Sequence, residues 1–176
     1  YKRDRDPRET LFRFGRCIVH FAVDDNKVAM CTALKGAKGM ANESWFLPFD
    51  QGWNDGAGNP PNDSGIKTDY LWKKILTPAG QTEILEHYAQ IVEEENPKTG
   101  AKKKVQIFPR YHQLDAVKKL LDDVARYGVG KRYLIQHSAG SGKSNSIAWL
   151  AYQLIGLKKA GKELFDSVIV ITDRRL

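Results

Sequence analysis

The sequence predicts an α/β protein, and its second half shows this most clearly. A glycine-rich segment, residues 137–144, lies between a short apolar run at 133–135 and a helical pattern that begins near Asn145. A further apolar run of β-branched residues, 168–171, follows that helical pattern. Strand, loop, helix and strand are therefore expected in the order of a βαβ unit.

The start of the chain predicts a helix and then a hairpin. Asp6 has the chemistry of a helix cap and is followed by proline, so a helix is expected from there to Gly15. Residues 17–23 are almost wholly apolar and predict a buried strand. The turn-forming residues 24–27 then lead into a returning strand at 28–34.

The middle of the chain combines irregular segments with short helices. Residues 45–49 predict a short strand or a core anchor, and residues 54–61 predict a long irregular loop. A short helix is expected over 69–76. Thr77 then caps another helix that is expected to continue as far as Ile91.

A turn at residues 96–100 leaves two interpretations open. The flanking segments form either a hairpin or a helix followed by one edge strand. We place a domain boundary near this turn. The expected division is a first domain over 1–90, a linker or edge strand over 91–108, and a second domain over 109–176.

Two amphipathic helices are expected in the second domain. The first runs from Pro109 to Tyr127 and ends at Gly128. The second follows the glycine-rich segment. Its apolar residues share one helical face, which we expect to be buried, and they are Ile147, Leu150, Ala151, Leu154 and Ile155.

Composition excludes several classes of protein. The chain has 176 residues, 41% of them hydrophobic and 28% charged, as in globular proteins. Its net charge of +7 weakly favours a polyanionic partner. Cys17 and Cys31 lack the spacing of a zinc site and are expected to be reduced thiols. No signal-peptide pattern opens the given sequence and no apolar segment approaches membrane-spanning length, so we expect a cytoplasmic protein.

The glycine-rich segment follows most of the pattern by which proteins bind nucleotide phosphates, G-x-x-x-x-G-K-[ST]. His137 replaces the first glycine, which we interpret as a space-filling substitution at a position without positive φ. Glycines let backbone N–H groups approach phosphate oxygens, and the following helix offers its N-terminus. Lys143 is placed to reach the β- and γ-phosphates, and the hydroxyl of Ser144 to bind Mg²⁺. A Gly/Ser linker is the alternative interpretation.

Weaker signals have ordinary explanations. Asp25 and Lys27 match half of a two-carboxylate nuclease motif, but a solvated polar turn is the better interpretation because no acidic partner is placed upstream. The basic run 102–104 is placed to meet phosphates or simply to be a solvated loop.

Gln113 carries an amide that can recognise the N6 and N7 edge of adenine.

Several stretches together resemble the R (restriction) subunit of type I restriction enzymes, a superfamily-2 helicase-like motor. The motor motifs lie at 108–113, 135–150 and 168–175. Residues 3–9 and 19–24 resemble the end of that subunit's nuclease domain. The resemblance implies an incomplete RecA-like P-loop lobe preceded by the C-terminal part of an α/β nuclease domain.

The resemblance further implies an ATP-dependent subunit that translocates and cleaves double-stranded DNA together with methyltransferase and specificity subunits. ATP and Mg²⁺ are the implied cofactors. Neither the acidic Walker B motif nor the second motor lobe is present in the chain, and the family's nuclease carboxylates would lie upstream of Tyr1. We therefore expect a fragment that binds ATP and is catalytically incomplete.

The expected site residues follow from the motifs. Contact with DNA is implied by the resemblance at Arg174 and Arg175, and Mg²⁺ is expected at Ser144 through ATP. The residues expected to bind the cofactor are Gln113, Ser138, Ala139, Gly140, Ser141, Gly142, Lys143 and Ser144. The alternative function is a non-enzymatic linker or docking module for partner subunits.

Overall fold

The computed structural model describes residues 2–3, 5–34, 36–37, 40–41, 45–97 and 99–172. The described chain is mixed α/β, with small antiparallel sheets and separate helices. It divides into two compact units, Tyr1–Tyr111 and His112–Leu176. The predicted α/β class is confirmed at this level.

The first unit contains a three-stranded antiparallel sheet in the order β1-β2-β5. Strands β1 (His20–Val23) and β2 (Val28–Cys31) form the predicted hairpin, and β5 (Leu47–Pro48) pairs with β2. The Asp24 carboxylate accepts the backbone N–H groups of Asn26 and Lys27 at 2.8 and 2.9 Å, which closes the turn. Strand β1 begins at His20 and not at residue 17, and it is less buried than predicted, since His20 is its one buried residue.

The irregular loop predicted over 54–61 is confirmed and is anchored to the hairpin. Residues 54–61 contain no helix or paired strand other than an isolated bridge between Trp53 and Gly56. Asn59 is buried, and its amide donates to the Asn26 carbonyl and to the Asp50 carboxylate, at 2.9 and 2.7 Å. These bonds satisfy a buried amide and fix the loop against the turn.

Aromatic side chains form the centre of this unit. Phe49 is fully buried, and its ring meets those of Phe21 and Tyr111 edge to face, with centroids 5.1 and 5.9 Å apart. The Tyr70 hydroxyl donates to the Phe49 carbonyl at 2.8 Å. The segment predicted at 45–49 therefore supplies both a core residue, Phe49, and the short strand β5.

The predicted N-terminal helix is wrong. A 3₁₀ turn, Thr10–Phe12, takes its place. The Asp6 carboxylate, which was expected to cap the helix, instead binds the backbone N–H and the guanidinium of Arg8. A local side-chain interaction has replaced the cap, as is common for Asp outside helices.

The predicted helices of the middle segment are present. Leu71–Ile75 forms a single π-helical turn, and α1 spans Pro78–His87. The Thr77 hydroxyl accepts the Gly80 N–H at 3.1 Å, so the predicted cap is confirmed. The helix ends at His87 and not at Ile91, because the chain there enters a strand.

The two interpretations of residues 90–107 resolve into a hairpin of β6 (Gln90–Glu95) and β7 (Lys102–Ile107). Strands β3 (Gly36–Ala37) and β4 (Met40–Ala41) form a further short antiparallel pair in this unit. The amide of Gln106 donates to the Ile18 carbonyl at 2.5 Å, which ties the β6–β7 hairpin to the first unit. The division between compact units thus falls after this hairpin.

The second unit contains helices α2 (Tyr111–Tyr127, whose first residue is counted with the first unit) and α3 (Lys143–Ile155). A short hairpin of β8 (Lys158–Lys159) and β9 (Lys162–Glu163) follows. Both predicted helices are confirmed. Helix α2 ends as expected, since Gly128 has a positive φ and its N–H bonds to the Val124 carbonyl at 2.8 Å.

The strands predicted on either side of α3 are wrong within the described residues. Neither 133–135 nor 168–171 forms a strand, and Leu134 and Ile171 are 93% and 90% exposed. A strand needs a neighbour for its backbone hydrogen bonds, and apolar composition alone does not supply one. The described residues therefore show no βαβ sheet.

The predicted buried face of α3 is also wrong. Trp149 and Ser146 are its buried residues, whereas Ile147 and Ile155 are 46% and 55% exposed. The periodicity correctly identified an apolar face, but within the described residues no sheet covers it. No helix in the described part of the chain is both long and apolar enough to cross a membrane.

Candidate functional site

The glycine-rich segment forms a tight turn directly before α3. Gly140 and Gly142 both adopt left-handed conformations, with φ of 72° and 80°, which side chains with a Cβ rarely adopt. Gly142 is the residue immediately before the helix, and α3 begins at Lys143, two residues earlier than predicted. His137 does not have a positive φ, so the first position of the motif did not require glycine.

Backbone donors are open at this turn. Within the described residues, the N–H groups of Gly142, Lys143 and Ser144 donate to no acceptor of the protein. They lie at the N-terminus of a 13-residue helix, where the dipole favours negative charge. The arrangement is chemically suited to an anion with several oxygen atoms.

The ammonium of Lys143 is folded back across the turn. Its Nζ donates to the carbonyls of His137 and Ser138 at 3.0 and 2.9 Å. An ammonium has three donors, so these contacts orient the group and leave one hydrogen for another acceptor. The side chain is exposed, and its charge lies beside the open backbone N–H groups.

Helix α2 contacts the other side of the same turn. The Gln113 amide nitrogen donates to the Gly142 carbonyl at 2.7 Å, and the His112 Nε2 lies 3.0 Å from the Ser141 carbonyl. Gln113 is 3% exposed. The structure thus brings Gln113 to the glycine-rich turn, where its amide contacts backbone.

The remaining predicted residues of the turn differ in exposure. Ser138, Ala139 and Ser144 are exposed, whereas Ser141 is 6% exposed and its hydroxyl has no hydrogen-bond partner among the residues that the structure describes. The Ser144 hydroxyl is therefore accessible to a cation held by a bound ligand. No group of three or more His, Cys, Asp or Glu residues is placed to hold a metal within the described chain.

Other predicted contacts lie elsewhere. Arg174 and Arg175 fall outside the described residues. The basic run 102–104 lies opposite Glu93, Glu94 and Glu95 in the register of the β6–β7 hairpin, so its positive charge faces negative charge across the strands. This pairing weakens the interpretation of the run as a phosphate contact.

Sequence reasoning missed His112. Its ring meets the ring of His137 edge to face, with centroids 4.9 Å apart and an interplanar angle of 86°. His137, the departure from the glycine pattern, was the available signal, because a bulky residue at that position needs a neighbour to pack against. His112 and His137 together line the turn on the side of α2.

Comparisons of the chain with protein-family models, with curated proteins and with solved structures found no match.

Proposed function

We propose that residues 137–144 bind the phosphates of ATP. The observation that carries the proposal is the open row of N–H groups at Gly142, Lys143 and Ser144, beside the oriented ammonium of Lys143. Hydrogen bonds between an ammonium or backbone N–H and a charged oxygen are among the stronger ones in proteins. A polyphosphate matches this arrangement better than a carboxylate, because it offers oxygens over a longer span.

Mg²⁺ is proposed to bind together with the nucleotide. The exposed hydroxyl of Ser144 fits this role, since hard cations prefer oxygen ligands and Mg²⁺ commonly takes several of them from phosphates and water. The cation supplies charge neutralisation to the bound phosphates. The protein's own residues supply the backbone donors, the ammonium of Lys143 and the Ser144 hydroxyl.

The wider function that we propose follows from the resemblance to the restriction subunit of type I restriction enzymes. The chain would then contribute part of an incomplete RecA-like lobe and the end of an α/β nuclease domain to an ATP-dependent subunit that translocates and cleaves DNA. Its partners would be double-stranded DNA, through residues such as Arg174 and Arg175, and the methyltransferase and specificity subunits. The setting would be cytoplasmic. Hydrolysis and cleavage would require residues that this chain does not supply.

The direct experiment is a calorimetric titration of the 176-residue chain with ATP and Mg²⁺, using wild type, Lys143→Ala and the matched control Lys162→Ala. Lys162 is also an exposed lysine of the second unit, so its substitution removes the same charge away from the turn. We expect Lys143→Ala to weaken binding at least about tenfold, or ~1.4 kcal/mol. Lys162→Ala should bind as wild type does.

The same titration tests the alternative of a non-enzymatic linker or docking module. Equal binding by wild type and Lys143→Ala, or no binding by either, would remove the nucleotide site and favour the docking function.

A further inference from the structure

We propose that His112 and Gln113 are positioning residues that hold the glycine-rich turn in its phosphate-binding conformation. The inference rests on the proposed function, because it assigns these residues a role in the same site. It differs from adenine recognition because it concerns the backbone of the turn. It therefore predicts weaker binding even of a phosphate ligand that has no base.

The two residues engage consecutive peptide groups. His112 Nε2 is 3.0 Å from the Ser141 carbonyl, and Gln113 Nε2 donates to the Gly142 carbonyl at 2.7 Å. A carbonyl oxygen accepts hydrogen bonds and cannot donate, so Nε2 of His112 must carry a proton in this contact. Both side chains therefore act as donors to the turn.

The geometry of the peptide bond links these contacts to the direction of the backbone N–H groups. In a trans peptide group the C=O and the N–H point in opposite directions, and the described peptide bonds are all trans. The Ser141 carbonyl is held by α2, and the Gly142 carbonyl is held by α2 together with the Asn145 N–H of α3 at 3.1 Å. The N–H groups of the next residues therefore point away from these donors. Those are the open N–H groups of Gly142 and Lys143.

Packing around the contacts makes them hard to replace. Gln113 is 3% exposed, and a Cβ built on Gly142 would collide with its amide nitrogen. On the other side, the His137 ring meets the His112 ring edge to face at 4.9 Å. Burial thus holds the Gln113 donor, and ring packing holds the partly buried His112 donor, as expected of groups that pre-organise a binding site.

The test uses two probes on the same protein, ATP with Mg²⁺ and inorganic tripolyphosphate, which has no base. The variants are His112→Phe and Gln113→Met, each of which introduces an apolar side chain of similar size and removes the donor. We expect each variant to lower the affinity for both probes by the same factor, roughly five- to tenfold, which is the usual effect of one lost hydrogen bond.

Two controls separate positioning from general loss of structure. Gln153→Met removes a comparable amide contact, to the Trp149 carbonyl at 3.3 Å on α3, and should leave both affinities unchanged. His112→Gln places an amide nitrogen near the position of Nε2 and should restore most of the binding that His112→Phe loses. Thermal unfolding of each variant shows whether it has folded.

A wild-type measurement keeps the inference testable if a variant does not fold. The side-chain amide protons of Gln113 should remain protected from exchange when either probe is bound, because the contact with Gly142 persists in the complex. Loss of that protection in the ATP complex alone would show that the amide leaves the turn for the base.

The outcomes are distinct. Binding of tripolyphosphate at wild-type affinity by folded His112→Phe and Gln113→Met would overturn the inference and leave the nucleotide site intact. A loss confined to ATP in Gln113→Met would assign Gln113 to adenine and overturn its positioning role. Failure of the wild-type chain to bind either probe would remove the proposed function itself.

Discussion

The carboxamide of Gln113 occupies the space that a side chain at Gly142 would need. Its amide nitrogen donates to the Gly142 carbonyl at 2.7 Å, and a Cβ on Gly142 would collide with that nitrogen. Glycine is thus favoured at position 142 for two reasons. Its backbone is left-handed, and a side chain there would displace the buried Gln113. This relationship connects α2 to the start of α3 and leads directly to a mutational comparison.

Gly142→Ala should destabilise the protein more than Gly140→Ala. Both positions have positive φ, so each substitution should cost roughly 1–2 kcal/mol from the backbone alone. Nothing lies within 4 Å of a Cβ at Gly140, whereas the one at Gly142 must displace Gln113. Urea unfolding of the two variants measures the difference. Equal destabilisation would mean that the Gln113 contact is not maintained in solution.

Phe49→Ala should destabilise the first unit by about 3–5 kcal/mol, the usual cost of removing a buried aromatic ring. The ring is fully buried, and its edge-to-face partners are Phe21 and Tyr111. Phe14→Ala is the matched control, because Phe14 is 52% exposed and its loss should cost little. Denaturant unfolding followed by fluorescence compares them, and similar losses would contradict this description of the core.

His20 should make the first unit less stable at acid pH. Burial lowers the pKa of His20 below its ordinary value, so the folded protein keeps the ring neutral. The unfolded chain binds a proton near pH 6.5, and stability therefore falls as pH drops from there to the lowered pKa. Unfolding curves over that range should show the slope in wild type and a reduced slope in His20→Phe. Identical slopes would remove His20 as the cause.

Local chemistry could be predicted from the sequence wherever neighbouring residues decide the outcome. The Asp24 turn closes by bonds to residues two and three positions later, and the Thr77 cap bonds to Gly80. The tight turn before α3 belongs to the same group, because the glycine at 142 permits the positive φ that the turn adopts. Each of these features involves only a few consecutive residues.

Features that depend on distant partners could not be predicted. The apolar composition around Leu134 indicated a strand, but composition does not show which other strand would pair with it. Asp6 is an exception among the local features, because its carboxylate binds Arg8 only two residues away and the predicted helix cap did not form. Contacts of His112 and Gln113 with the turn join residues that lie 29 positions apart. The sequence predicted Gln113 as a site residue but not its bond to the turn, and it indicated His112 only indirectly, through the bulky His137.

The most direct test of the central claim is an NMR titration of the ¹⁵N-labelled chain with ATP and Mg²⁺, following the backbone amides of Gly140, Gly142 and Lys143. Adenosine, which has no phosphate, is the control ligand. The claim predicts large, saturable shifts at these amides with ATP and none with adenosine. Amides at these positions that stay unchanged at saturating ATP would contradict the claim that this turn binds the phosphates of a nucleotide.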